Sequence, residues 1–156
     1  MNNNKLEILY KIGVVTFPLL KLGFERFWCT KKDVIDYAVF YMAKKEYANN
    51  DLIALLAGAD YEEENIVQEY AAKFIKDENI IDNYTIEKWK VAFLIEVKEM
   101  SCSERERIDL LQLVYSTFDY SQDLAELSIY NADGICPIKA MNELIERKLK
   151  ILNVAP

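Results

Sequence analysis

Asp60-Tyr61-Glu62-Glu63-Glu64-Asn65-Ile66-Val67-Gln68-Glu69-Tyr70-Ala71-Ala72-Lys73-Phe74-Ile75 reads as one amphipathic helix. Ile66, Tyr70 and Phe74 recur every four residues with Val67, Ala71 and Ile75 beside them, a spacing that gathers apolar groups into one stripe. Asp60 and three glutamates lead the segment, where negative charge meets the positive end of the helix dipole. A stripe of this kind needs other helices to cover it, and the rest of the chain supplies them.

Before it, Thr30 with Asp33 forms a T-x-x-D start in which the hydroxyl can accept an orphan amide. The helix it opens runs to about Lys45, with Val34, Tyr37, Ala38 and Tyr41 facing inward and Asn49-Asn50 as the break. Asp51 opens a short helix through Leu52, Leu55 and Leu56, and Gly58 is expected to end it at a position that tolerates left-handed geometry. After it, Thr85 starts a helix carrying Ile86, Trp89, Phe93, Val97 and Met100, with further apolar residues off that face, so it is expected to be the most buried. Ser103 with Glu106 makes a second capping box, ahead of Ile108, Leu111, Tyr115 and Phe118. Ser121 is expected to cap a shorter helix through Leu124, Leu127 and Ile129. Asp133-Gly134 marks a turn, and Pro137 suits the first position of a last helix using Ile138, Met141, Ile145 and Leu152. That helix ends in Arg147, Lys148 and Lys150, the sign its C-terminal dipole favours.

Composition agrees with the pattern. Four glycines and three prolines among 156 residues fall well below the average of about 12% for the two together, and only Val14 to Phe17 offers a weak strand. The expectation is an all-α fold, a single domain over residues 1–156 of about seven helices packed as antiparallel helical hairpins. Ile12 to Leu20 is apolar and follows Lys5 and Lys11. Glu7, Pro18, Lys21, Glu25 and Arg26 nevertheless argue against a signal peptide, and no apolar run reaches the roughly 20 residues that span a bilayer. A soluble, cytoplasmic protein is expected.

The chain has no histidine, which removes Ser-His-Asp and Cys-His nucleophilic machinery and the usual general base near neutral pH. Cys29, Cys102 and Cys136 are odd in number and far apart, so they read as buried free thiols rather than as a zinc cluster or a disulfide framework. The four glycines stand alone, without a phosphate-cradling loop. Asp119 and Asp123 can be read as an acid–base pair or as metal ligands, but no calcium-loop spacing accompanies them. No catalytic residue, metal or cofactor is expected, and the chain is not read as an enzyme.

Charge is uneven along the chain, whose net charge is −7. Residues 1–32 hold six basic and two acidic side chains, whereas residues 59–79 and 100–134 each hold seven acidic and two basic. An acidic face repels nucleic acid, whose binding depends on neutralising phosphates, and attracts a basic protein. Glu62 to Glu64 also fit the ordinary dipole-favoured first turn of a helix. In Phe118-Asp119-Tyr120-Ser121-Gln122-Asp123, aromatics interleave with carboxylates in the manner of interface anchors with a charged rim. Asp60, Tyr61, Glu62, Glu63, Glu64, Asp119, Tyr120, Asp123 and Asp133 are the candidate contact residues.

Two stretches resemble a known family. Gly23-Phe24-Glu25-Arg26-Phe27-Trp28-Cys29-Thr30, continuing through Lys31-Lys32-Asp33-Val34-Ile35-Asp36-Tyr37-Ala38, is similar to an N-terminal signature of an aromatic segment, a helix cap and "D-V-I-x-Y-A". Leu110 to Tyr120 is similar to a C-terminal "Y-x-x-F-D-Y", with Ser121 where many relatives carry proline. The family resembled is a group of small helical bacterial proteins of unknown function, often linked to polymorphic toxin systems, including contact-dependent growth inhibition, as immunity proteins. The resemblance implies a non-catalytic cytoplasmic protein, monomeric before complex formation, that binds the C-terminal domain of a cognate toxin. An acidic surface suits a basic RNase or DNase partner, because carboxylates can stand in for the phosphates such an enzyme binds. A helical adaptor unrelated to toxins is the alternative. No membrane and no nucleic acid is expected as a partner.

Overall fold

The computed structural model describes residues 4–44, 50–59 and 63–154. The expected break at Asn49 and the candidates Asp60, Tyr61 and Glu62 lie outside them. The fold is all-α: the described residues form eight α-helices and a six-residue 3-10 helix. The helices are α1 (Asn4–Lys11), α2 (Phe17–Glu25), α3 (Lys31–Lys44), α4 (Asn50–Ala57), α5 (Glu64–Asp77), α6 (Thr85–Glu99), α7 (Glu104–Thr117) and α8 (Pro137–Ile151). The 3-10 helix (Gln122–Leu127) lies between α7 and α8. Contacts group the chain into two compact units, one over Val14–Thr85 and one combining the N-terminal residues through Gly13 with the chain from Ile86 onward.

In the first unit, α2 packs on α3 and α5, and α4 on α3 and α5. Val14 to Phe17 forms no strand. Thr16 instead caps α2: its hydroxyl accepts from the Leu19 amide at 3.2 Å and donates to Asp82 at 2.5 Å. Pro18 sits in the first turn, where a missing N–H leaves no intrahelical bond unmade. The Thr30 box closes reciprocally, with the Thr30 amide donating to Asp33 Oδ2 at 2.7 Å and the Asp33 amide to Thr30 Oγ1 at 3.2 Å. Phe17 is at the centre of the core, with Tyr37, Tyr41 and Phe74 rings 4.7–5.1 Å from it. On α5 the fully covered residues are Val67, Ala71 and Phe74, so the stripe is rotated from the Ile66–Tyr70 line. As expected, α4 ends just before Gly58, but the glycine does not use left-handed geometry. Its amide continues the helical ladder to the Ala54 carbonyl at 3.0 Å.

In the second unit, α7, α8 and the 3-10 helix pack on one another. As expected, α6 is heavily buried, including Trp89, Val91, Ala92 and Leu94. Met100, read as inward-facing, is exposed. Ser103 caps α7 by accepting from the Glu106 amide at 3.1 Å, Pro137 heads α8, and Gly134 takes φ 66° in the expected turn. Ser121 does not cap backbone: its hydroxyl donates to Asp123 Oδ1 at 2.7 Å. Nor are all three thiols buried; Cys29 is, Cys102 is half-buried and Cys136 is exposed. Among the described residues, no helix is long and apolar enough to cross a membrane.

Candidate interaction surface

Where α7 ends, the chain turns sharply. Phe118 closes the helix, and Asp119 and Tyr120 follow with φ 55° and 56°. Two consecutive non-glycine residues in left-handed geometry are uncommon, each disfavoured by roughly 1–2 kcal/mol, somewhat less for Asp. Hydrogen bonds hold them there, from the Asp119 amide to Ser116 O and from the Tyr120 amide to Tyr115 O, both 3.0 Å. The Tyr120 ring stands edge-on to Tyr115 at 5.1 Å, a favoured aromatic geometry, yet Tyr120 remains 65% exposed. Ser121 has a proline-like φ of −58°, but its amide donates to Phe118 O at 3.2 Å. Proline would lose that bond.

Asp123 turns the other way. Lys90 Nζ lies 3.0 Å from both of its carboxylate oxygens and Lys148 Nζ 2.6 Å from Oδ2. Glu87 joins the cluster, 2.5 Å from Lys148 and 3.6 Å from Lys90. Both lysines are buried while the carboxylates keep partial access to water. Two cations are thus matched by two anions. Partial burial alone would raise the Asp123 pKa, but hydrogen bonds from Lys148, Ser121 and Lys90, with the nearby Lys148 charge, hold it well below the usual carboxylate range. The negative charge read from the sequence as an offer to a partner is therefore neutralised within the unit. Asp123 pins the 3-10 helix onto α6 and α8. Lys148, read as a dipole complement at the end of α8, is the buried counter-ion.

The next turn is held by side chains as well. Gln112 on α7 donates to Leu127 O at 2.7 Å and accepts from the Ile129 amide at 3.3 Å. Asn131 donates to Ser128 O at 3.0 Å and Ile135 O at 2.6 Å, and accepts from the Ile135 amide at 2.9 Å. Ile129, read as part of a buried stripe, is 53% exposed, and Tyr130 is 87% exposed. Asp119 and Asp133 are exposed, and among the described residues neither has an ion-pair partner. The structure thus brings Asp119, Tyr120 and Asp133 to the surface of one unit, while Glu63 and Glu64 belong to the other, exposed at the start of α5. Glu63 is the cap residue itself, with its carbonyl receiving the Ile66 and Val67 amides and its side chain uninvolved. Among the described residues, no group of three or more Cys, Asp or Glu is placed to hold a metal ion.

The bacterial family described as "uncharacterized protein conserved in bacteria" (DUF2247) matches the chain over residues 6–151. The chain belongs to the DUF2247 family. Comparison with curated proteins and with solved structures finds no match. Both family-like segments noted in the sequence lie within the DUF2247 match. In the first, Phe27 follows α2 with φ 62° and is 89% exposed. In the second, the aromatic–acidic run forms the left-handed turn at Asp119 and Tyr120.

Neither Lys90 and Lys148 nor Ile129 and Tyr130 stood out as functional in the sequence. Lysines on amphipathic helices ordinarily face water. The signal that could have singled out Tyr130 was its position between the end of one apolar spacing and the Asp133-Gly134 turn, outside any stripe.

Proposed function

We propose that this DUF2247 protein is an immunity protein that binds and neutralises a cognate toxin domain, a basic nuclease of a contact-dependent growth inhibition system. The observation that carries the reading is the unpaired charge of Asp119 and Asp133 on a segment whose other acidic groups, Asp123 and Glu126, are paired with Lys90, Lys148 and Arg147. A surface held by Asp123, Gln112 and Asn131 loses little conformational freedom on docking, which favours affinity. Its unpaired carboxylates attract a cationic partner and speed encounter. The protein is read as acting in the cytoplasm by occlusion, with no chemistry of its own.

The test is growth of cells expressing the C-terminal toxin domain encoded beside this chain, with and without the protein. Rescue is the expected result. Charge reversal of Asp119 and Asp133 to lysine is expected to slow association on the order of tenfold at low salt and to flatten its salt dependence. Growth arrest that the wild-type protein does not relieve overturns the reading.

A further inference from the structure

We infer that Tyr120, Ile129 and Tyr130 are the apolar anchor of a docking surface whose occupant is a basic protein domain presenting arginine or lysine next to an apolar side chain. The inference rests on the functional reading above and names the residues that would supply its binding energy.

Placement comes first. Tyr120 lies against Tyr115, and Ile129 is tied by its amide to Gln112. Gln112 and Tyr115 are three residues apart on α7, so their side chains are neighbours on one flank of that helix. The Tyr120 ring and the Ile129 backbone therefore border the same flank, and Tyr130 follows directly in sequence. All three are large, apolar in body and more than half exposed. The two tyrosines offer aromatic faces for apolar or guanidinium groups, which is why tyrosine is enriched at energetic centres of interfaces. Asp119 adjoins Tyr120, and Asp133 is three residues beyond Tyr130. This is an apolar centre with an acidic rim, the usual anatomy of a specific interface.

Charge selects the occupant. No lysine or arginine occurs between Arg107 and Lys139, so the whole stretch that builds the surface contributes only negative charge. A second copy docking symmetrically would bring like-charged rims together. Nucleic acid and anionic lipid surfaces are repelled in the same way.

The experiment measures binding of the adjacent-encoded toxin domain to the wild-type protein, to Tyr130→Ala/Ile129→Ser, and to Ile81→Ser as a control for an exposed apolar group elsewhere. Circular dichroism and thermal melting verify folding of each. Expected is a loss of at least about 30-fold in affinity for the double variant, the scale of one interfacial hot spot, with Ile81→Ser unchanged. Tyr120→Gly, which suits the left-handed backbone, is expected to lose affinity while remaining folded. Wild-type affinity in both Tyr130→Ala/Ile129→Ser and Tyr120→Gly overturns this inference and leaves the immunity reading standing. Failure of the wild-type protein to bind the toxin domain overturns both. A wild-type dimer that the double variant converts to monomer overturns the assigned occupant.

Discussion

The two units are held together by different physics. The core of the Val14–Thr85 unit is a cluster of rings, Phe17, Tyr37, Tyr41 and Phe74, in which dispersion and edge-to-face contacts act on groups removed from water. The unit from Ile86 onward also has an apolar core around Trp89, but its 3-10 helix is fastened by ions, Lys90 and Lys148 against Glu87 and Asp123. Ring packing is tolerant in direction and strong in sum. An ion cluster is directional, and its net contribution is small beside the penalty for leaving one member unmatched. The contrast teaches where a precise surface is built: the side chains nearest the proposed docking segment are those whose hydrogen-bond geometry admits one arrangement.

The largest expected effect is therefore in the ring cluster. Phe74→Ala removes a fully buried ring that touches Phe17 and Tyr41 and is expected to destabilise the protein by about 3–5 kcal/mol, read from the denaturant midpoint. A loss of less than about 1 kcal/mol would break the comparison, because the cluster would then not be a packed core.

The ion cluster comes next. Asp123→Asn leaves Lys148 and Lys90 buried with Glu87 as their remaining carboxylate, and is expected to cost about 1–3 kcal/mol at neutral pH. The pH dependence follows from the sign of the shift. The folded-state pKa lies below the unfolded value, so the contribution is complete above the ordinary aspartate pKa of about 3.9 and is lost as pH falls through the lower folded value. The gap between wild type and Asp123→Asn is expected to be constant from pH 7 to about 5 and to narrow below about 4. A gap that does not change on acidification shows that Asp123 titrates alike in the folded and unfolded chain, and so is unpaired, which removes the ionic fastening from the account.

The same contrast explains what the sequence disclosed. The helices α3 to α8 and both capping boxes were legible because caps and periodicity are local, and so was the burial of α6, whose face is apolar nearly all round. α1 and α2 were not, since a short apolar run with Pro18 inside it resembles a leader segment or a strand as much as a helix. The structure shows Thr16 resolving that ambiguity with a side-chain cap and a bond to Asp82, 66 residues away. Of the candidate contacts, the exposure of Asp119, Tyr120 and Asp133 was legible, because aromatics and carboxylates outside any stripe have few uses in a core. The ion pairing of Asp123 was not legible, because it depends on cations 33 positions upstream and 25 downstream.

The smallest effect sharpens the comparison without touching stability at neutral pH. Cys29 belongs to the ring-packed unit and Cys136 to the ion-fastened one. The Cys29 thiol is buried, donates to Leu20 O at 3.3 Å, and has its pKa pushed up to about 12 by burial and, secondarily, by the charge of Asp33. Cys136 is exposed at the head of α8. At pH 8 a thiol reagent is expected to modify Cys136 within minutes and Cys29 only after denaturant is added, because the thiolate is the nucleophile and burial withholds it. Since the folded pKa of Cys29 exceeds the unfolded one, its contribution to stability is intact below about pH 8.5 and declines as pH rises toward 12. A Cys29→Ser chain labelled at the same rate as wild type by native-state reagent, with one fewer thiol titrated after unfolding, is the expected control. Rapid labelling of Cys29 in the folded protein would mean that the ring-packed unit opens readily, and that the firmer half of the molecule is the one fastened by charge.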